Sequence, residues 1–227
     1  MTAWLLVHSP LLGPSTWVGV ASALTKRGDV TVVPDLRPAL FSGPPFAARQ
    51  AGIAAAASHV NDAILVVHSG AGALVPLIAQ RLVRRLRSVV FVDAGLPIPG
   101  RARLDTFSDD AIEDLNALLE DGFLPPWPQW WPPELLAELL PDPRDRSVLD
   151  TESLPIPFAL LTEILPDVAD LETPRAYIRL SAAYDAEADR AEALGWPVQR
   201  HDSNHLAPIS APDDVAAWLT LAMRGLS

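Results

Sequence analysis

Two residues in this chain are of the types that make a nucleophile and its base. In "VVHSGAGAL" (66–74) a β-branched run breaks on Ser69, which is flanked by small residues. A serine hydroxyl is a weak nucleophile, so it needs an adjacent base that is itself oriented by a third group. A tight strand-to-helix turn lifts such a serine clear of a sheet, and small neighbours let the chain turn that sharply. The N–H of Gly70, at the start of the following helix, can face a developing oxyanion. The turn is not an intact G-x-S-x-G, because Val67 and Ala71 hold the two glycine positions. A serine here can also serve as a helix N-cap. The candidate base is His205, in "HDSNHLAPISAPDDVAAWL", a loop that leads into a terminal helix opened by Pro212. For the orienting acid three residues stay open: Asp93 after "SVVFV", Asp185 after "RAYIRLS", and Asp202 close to the histidine in sequence.

The elements that must position them alternate between strand and helix. "AWLLVH" (3–8), "VTVVPDL" (30–36), "AILVVH" (63–68), "SVVFVDAG" (88–95) and "RAYIRLS" (175–181) read as strands, with helical stretches between them at 17–26, 46–60 and 71–83. Continuous apolar strands separated by helices imply a parallel sheet buried on both faces. In such sheets the chemistry gathers at the carboxyl ends of the strands, where His8, Asp35, Ser69 and Asp93 fall. Residues 97–172 break the pattern with "FLPPWPQWWPPELLAELLPDP", rich in proline and tryptophan and with no clear strand. The expected organisation is an α/β core of 1–96 and 173–227 interrupted by a helical cap of 97–172.

Composition narrows the partners. The 227-residue chain suits a single core with an insertion. Its net charge of −11 argues against nucleic acid and against an anionic membrane surface. Without cysteine there is no disulfide, thiol catalysis or cysteine-based zinc site. No metal-ligand pattern, G-x-G-x-x-G after the first strand, or P-loop is visible, so no metal and no cofactor are expected. The start lacks a charged leader, and no apolar run reaches a membrane-spanning length, so a cytoplasmic protein is expected.

Three segments resemble the α/β-hydrolase superfamily, in particular its plant esterase and hydroxynitrile-lyase-like branch and bacterial relatives: "WLLVHSPLLGPSTW" (4–17), "ILVVHSGAGAL" (64–74) and "SNHLAPISAPDDVAAWL" (203–219). His8 and Trp17 keep the family's spacing in the first segment, His68 precedes the serine as it often does there, and His205 precedes Pro212 by seven residues. The resemblance implies an α/β-hydrolase fold, a mostly parallel sheet flanked by helices with a helical cap. It also implies Ser69 as nucleophile and His205 as base. The family usually carries its acid after the strand read here as "RAYIRLS", which favours Asp185, with Asp93 as the alternative used in some branches.

The resemblance also marks a departure. The family's oxyanion hole takes a second N–H from the position occupied here by Pro10, which has none to give. Ser9 can offer its hydroxyl instead, or Leu11 its N–H. Around this centre, His8 and the cap aromatics Phe123, Trp127, Trp130 and Trp131 are candidates for the substrate pocket, although the aromatics can equally serve to bind the cap to the core and His8 to hold its loop through side-chain hydrogen bonds. The expected function is hydrolysis of a small hydrophobic carboxylic ester, lactone or thioester. The alternatives are a lyase or cyclase that uses Ser69 and His205 as an acid–base pair, and a non-catalytic ligand-binding protein. A homodimer through the aromatic cap is compatible with the sequence.

Overall fold

A computed structural model describes residues 1–59, 61–82, 86–168 and 172–226. The core begins with β1 (Ala3–Val7), α1 (Ser15–Lys26), β2 (Val30–Val32), α2 (Phe46–Ala57), β3 (Ala63–Ser69), α3 (Val75–Arg81) and β4 (Leu86–Ala94). The insertion follows with α4 (Asp109–Ala117), β5 (Phe123–Leu124), α5 (Pro133–Leu139), α6 (Pro143–Glu152), β6 (Ile156–Pro157) and α7 (Phe158–Thr162). The chain then returns to the core with β7 (Arg175–Arg179), α8 (Asp185–Ala193), β8 (Val198–Arg200), α9 (Ala207–Ser210) and α10 (Pro212–Arg224). The expected helix ends Val60 and Val83 lie outside the described residues. His59 falls beyond the end of α2, not within a helix as its alanine-rich surroundings suggest.

Six strands form one parallel sheet in the order β2-β1-β3-β4-β7-β8. Alternation along each strand divides its side chains between two cores. Leu5, Val7, Leu65, Val67, Val89 and Phe91 pack on one face with α2, α3 and α8. Trp4, Leu6, Ile64, Val66, Val90 and Val92 pack on the other with α1 and α10. Each fully buried Leu, Val or Phe contributes roughly 1.5–3 kcal/mol, so the central strands are held by both faces at once.

A third cluster joins insertion to core: Trp127, Leu124, Leu149, Ile156 and Leu161 of the insertion meet Leu11, Leu12, Leu40 and Leu206. Two carboxylates reinforce it. Helices α1 and α2 start behind Pro14 and Pro45, neither of which supplies a side-chain cap. Glu152 of α6 accepts from Ser15 N (2.9 Å), and Glu163 after α7 accepts from Phe46 N (2.6 Å) and Ala47 N (3.2 Å). A carboxylate at a helix N-terminus satisfies orphan N–H groups and complements the dipole. The insertion is therefore fastened to both faces of the sheet. It is not wholly helical, since β5 and β6 pair antiparallel at its centre; two-residue strands are too short to leave an alternating pattern in a proline-rich sequence.

Candidate active site

The chain turns hard at the end of β3. Ser69 takes φ 54° and ψ −126°, a conformation that costs a non-glycine residue about 1–3 kcal/mol and persists only where the surroundings impose it. The imposition is visible. Ser69 O accepts from Gly95 N at 3.1 Å, and a Cβ on Gly72 would collide with the Gly95 carbonyl. Gly72 thus lets the start of the following turn lie directly against the end of β4. The pairing of β3 and β4 slips at the same level, where His68 faces Val92 and Ser69 faces Ala94. Asp93 falls in that slip with φ 42°. Tyr177 on β7 closes the slip: its hydroxyl accepts from Ala94 N (3.2 Å) and donates to Ala94 O (2.9 Å).

The slip directs Asp93 sideways to His205. Asp93 Oδ2 lies 3.0 Å from His205 Nδ1 and accepts from Ser181 Oγ at 2.6 Å, while Oδ1 accepts from Leu180 N (2.6 Å) and Ser181 N (3.1 Å). Burial pushes the carboxyl up, but the hydrogen bonds from His205, Ser181 and Leu180 outweigh it and hold Asp93 below the usual carboxylate range. Asp93 therefore stands ionised against Nδ1–H, which leaves Nε2 as the basic nitrogen of His205.

His205 is held on three further sides. Its carbonyl accepts from His68 Nε2–H at 2.9 Å. Its ring lies between that of His68 (centroids 4.5 Å apart) and that of Tyr184 (5.0 Å apart, planes within 5° of parallel). Tyr184 also reaches the serine, with its hydroxyl 3.3 Å from Ser69 Oγ. Ser69, Tyr184, His205 and Asp93 thus form one continuous chain of contacts. Burial depresses His68 to about 3, so its ring is neutral, and its buried Nδ1 has no partner among the described residues.

Several sequence expectations are corrected by this geometry. Asp185 sits at the start of α8, where Arg179 Nε donates to it at 2.6 Å, and the guanidinium keeps its carboxyl low. Asp202 is fully exposed, 3.6 Å from Arg179 Nη1. The carboxylate that meets His205 comes from the β3–β4 slip and not from the end of β7; the end of β7 supplies Ser181 to hold it. His8 does not line a pocket: it is fully buried, donating from Nδ1 to Ser9 O (2.7 Å) and accepting at Nε2 from Leu36 N (3.0 Å). Burial drops it to about 4, so it is a neutral brace between β1 and the segment after β2. Of the cap aromatics, Trp127 is buried in the cap–core cluster and Trp130 packs against it. Phe123 and Trp131 face solvent, 49% and 41% exposed. Trp127 is accordingly cement between cap and core, and Phe123 and Trp131 are surface residues.

The first loop spends its own donors. Ser9–Leu12 is a turn closed by Leu12 N to Ser9 O (3.0 Å), with Pro10 at the position whose φ proline pre-sets. Leu11 N donates to Ser9 Oγ at 3.3 Å. Neither Pro10, which has no N–H, nor Leu11 therefore offers a free backbone donor.

Arg103 was not foreseen at all. It opens the 3₁₀ turn Arg103–Thr106 of the insertion and donates from Nη2 to Gly70 O at 2.6 Å. Tyr184 and Ser181 were likewise missed, since an isolated tyrosine, serine or arginine carries no spacing signal.

A model of the alpha/beta hydrolase family matches residues 4–218. No curated protein sequence matches. Similar solved structures include an extracellular alpha/beta-hydrolase from a Paenibacillus species, described as sharing structural and functional homology with tobacco salicylic acid binding protein 2. It has a TM-score of 0.79 at 18% identity, over 98% of this chain and 99% of that one. A methylesterase from Arabidopsis has a TM-score of 0.69 at 17% identity, over 99% of each chain. A pyrethroid hydrolase from Sphingobium faniae has 0.70 at 19%, over 98% of this chain and 97% of that one. At these identities the likeness is one of fold. Among the described residues no helix is long and apolar enough to cross a membrane.

Proposed function

The chain belongs to the alpha/beta hydrolase family, and from that premise we propose that it is a serine hydrolase cleaving a small hydrophobic carboxylic ester, lactone or thioester. The reading rests on one observation above all: a His205–Asp93 hydrogen bond beside a serine held at positive φ on a strand-to-helix turn. Ser69 gives its proton to His205 Nε2 as Oγ bonds to the carbonyl carbon, and the carbonyl π pair moves onto oxygen. The intermediate collapses by expelling the alcohol or thiol, which takes the proton back from the imidazolium. Water then attacks the acyl-enzyme with His205 again as base, releasing the acid and restoring Ser69. Asp93 fixes the tautomer and stabilises the transient imidazolium; Gly70 N–H faces the oxyanion.

In the resting arrangement Ser69 Oγ pairs with the Tyr184 hydroxyl. Catalytic hydrogen bonds are often loose without substrate and tighten when it binds, so this pairing is compatible with transfer to Nε2. The reading also carries the expectation of a cytoplasmic location. A second reading, a lyase or cyclase using Ser69 and His205 as an acid–base pair, is favoured by one observation, the lack of a free backbone donor at Pro10 and Leu11.

Labelling with a fluorophosphonate, with the modified peptide located by mass spectrometry, tests the hydrolase reading. Ser69 is expected to be labelled, and His205→Ala and Ser69→Ala to abolish labelling. A folded, unlabelled wild-type protein would refute it in favour of the acid–base reading.

A further inference from the structure

Hydrolysis needs more than Gly70 N–H to hold an oxyanion, since losing one donor typically costs about 100- to 1,000-fold in rate. The first loop's backbone does not supply the second donor: Leu11 N–H goes to Ser9 Oγ, Leu12 N–H to Ser9 O, and Pro10 has none, which leaves that loop only the Ser9 hydroxyl.

A cation lies against Gly70 instead. Arg103 Nη2 donates to the Gly70 carbonyl, and a Cβ built on Gly70 would overlap Nη1 and lie 2.7 Å from Cζ. The guanidinium thus fills the volume that any side chain at position 70 would take, immediately after the nucleophile. Among the described residues no carboxylate pairs with it; the titratable neighbour that acts on it is Tyr184, whose hydroxyl contacts Ser69. Burial lowers Arg103 to about 10, leaving it charged at neutral pH. A half-buried cation without an anion is costly to keep in a fold. Its cost is offset in a state that creates a negative charge beside it.

We propose that Arg103 is a catalytic residue of the hydrolysis, supplied by the cap: the oxyanion formed when Ser69 adds to the carbonyl is held between Gly70 N–H and the Arg103 guanidinium. The proposal rests on the hydrolase reading above. Arg103 exchanges no proton or atom; it stays cationic while the carbonyl oxygen gains its charge, and it is again unpaired when the intermediate collapses. Glycine at 70 and proline at 10 then have one explanation, a donor moved from the first loop to the cap.

The test compares wild type with Arg103→Met, which keeps length and loses charge, and Arg103→Lys, which keeps charge and loses the fork. The readouts are the rate at which a neutral fluorophosphonate labels Ser69, and kcat and KM on a neutral ester. Arg103→Met is expected to slow labelling and kcat by about 100-fold or more with KM changed less than about threefold, and Arg103→Lys to fall between. Should Arg103→Met not fold, as judged by circular dichroism, Arg103→Gln replaces it in the same comparison. Unchanged labelling in a folded, charge-free variant overturns the role of Arg103 while leaving the hydrolase reading intact. So does an effect confined to KM for esters bearing a carboxylate, which makes Arg103 a substrate anchor. An unlabelled Ser69 in the wild type removes both.

Discussion

Asp93 Oδ2 and His205 Nδ1 lie 3.0 Å apart although the residues are 112 positions apart in sequence, and the same carboxylate ties down the end of β7 through Leu180 and Ser181. Asp93→Asn keeps the shape but turns one oxygen into a donor, which favours the wrong imidazole tautomer. A loss of about 10³- to 10⁴-fold in kcat is expected, with little change in KM. Asp185→Asn is expected to stay within about threefold of wild type, because Asp185 is half-exposed and engaged with Arg179. Steady-state kinetics on one ester decide it, and the opposite ranking would move the acid back to the end of β7.

Tyr184 does two separable things, stacking on His205 and meeting Ser69 through its hydroxyl. Tyr184→Phe keeps the stack and removes the hydroxyl contact; Tyr184→Ala removes both. Orientation of a base matters more to rate than one long neutral contact. Tyr184→Phe is therefore expected to cost kcat less than about tenfold and Tyr184→Ala at least tenfold more than that. Equal losses in the two would show that the phenol oxygen, and not the ring, is what the site uses.

The frame is legible in the sequence, and so are three of the four residues that meet at the candidate site, Ser69, His205 and, as an alternative, Asp93, for reasons that can be stated residue by residue. The strands were legible because β1, β3 and β4 are buried on both faces and so read as unbroken apolar runs. Ser69 and His205 were legible because each sits in a local pattern, a strand broken by small residues and a histidine ahead of a helix. The carboxylate that meets His205 is Asp93 and not the favoured Asp185, because its placing depends on a register slip between β3 and β4, and a slip leaves no trace in composition or periodicity. Arg103 was out of reach for a related cause: its place at Gly70 is set by how the cap folds back over the sheet, a contact across 33 residues. The tryptophans of the cap announced apolar burial, but not whether they would bury against a substrate or against Leu11, Leu12 and Leu206.

Acid stability follows from imidazoles that burial keeps neutral, His8 and His68 foremost, with His201 lowered in the same sense. His8 sits at about 4 and His68 at about 3, both depressed from 6.5. Below 6.5 the unfolded chain takes up protons on these rings that the folded chain refuses, so unfolding gains ground. The contribution is whole above about pH 6.5 and drains away as pH falls towards 4 for His8 and towards 3 for His68. Carboxylates held low, such as Asp93 and Asp35, add their own loss only below their ordinary value of 3.8. The melting temperature should therefore drop between pH 6.5 and 4.5, before the carboxylates take part. In His68→Gln the slope of stability against pH over this window should be clearly shallower than that of wild type. A flat profile down to pH 4.5 would mean that both rings bind protons in the folded protein.

Pro10 and Arg103 offer a test of coupling that neither gives alone. Pro10→Gly adds an N–H to the first loop and loosens the Ser9–Leu12 turn, at a stability cost of about 0.4–1 kcal/mol through the unfolded state. If the cap guanidinium already holds the oxyanion, the new N–H has little left to stabilise, and kcat should change less than about threefold in the wild-type background. In Arg103→Met the same substitution should recover about tenfold or more, because there the oxyanion lacks a partner. The difference between these two effects is the interaction energy of a double-mutant cycle, and it is expected to be non-zero only if the two residues serve the same charge. Equal effects in both backgrounds would place Arg103 outside the oxyanion's reach, whatever its own substitution does to the rate.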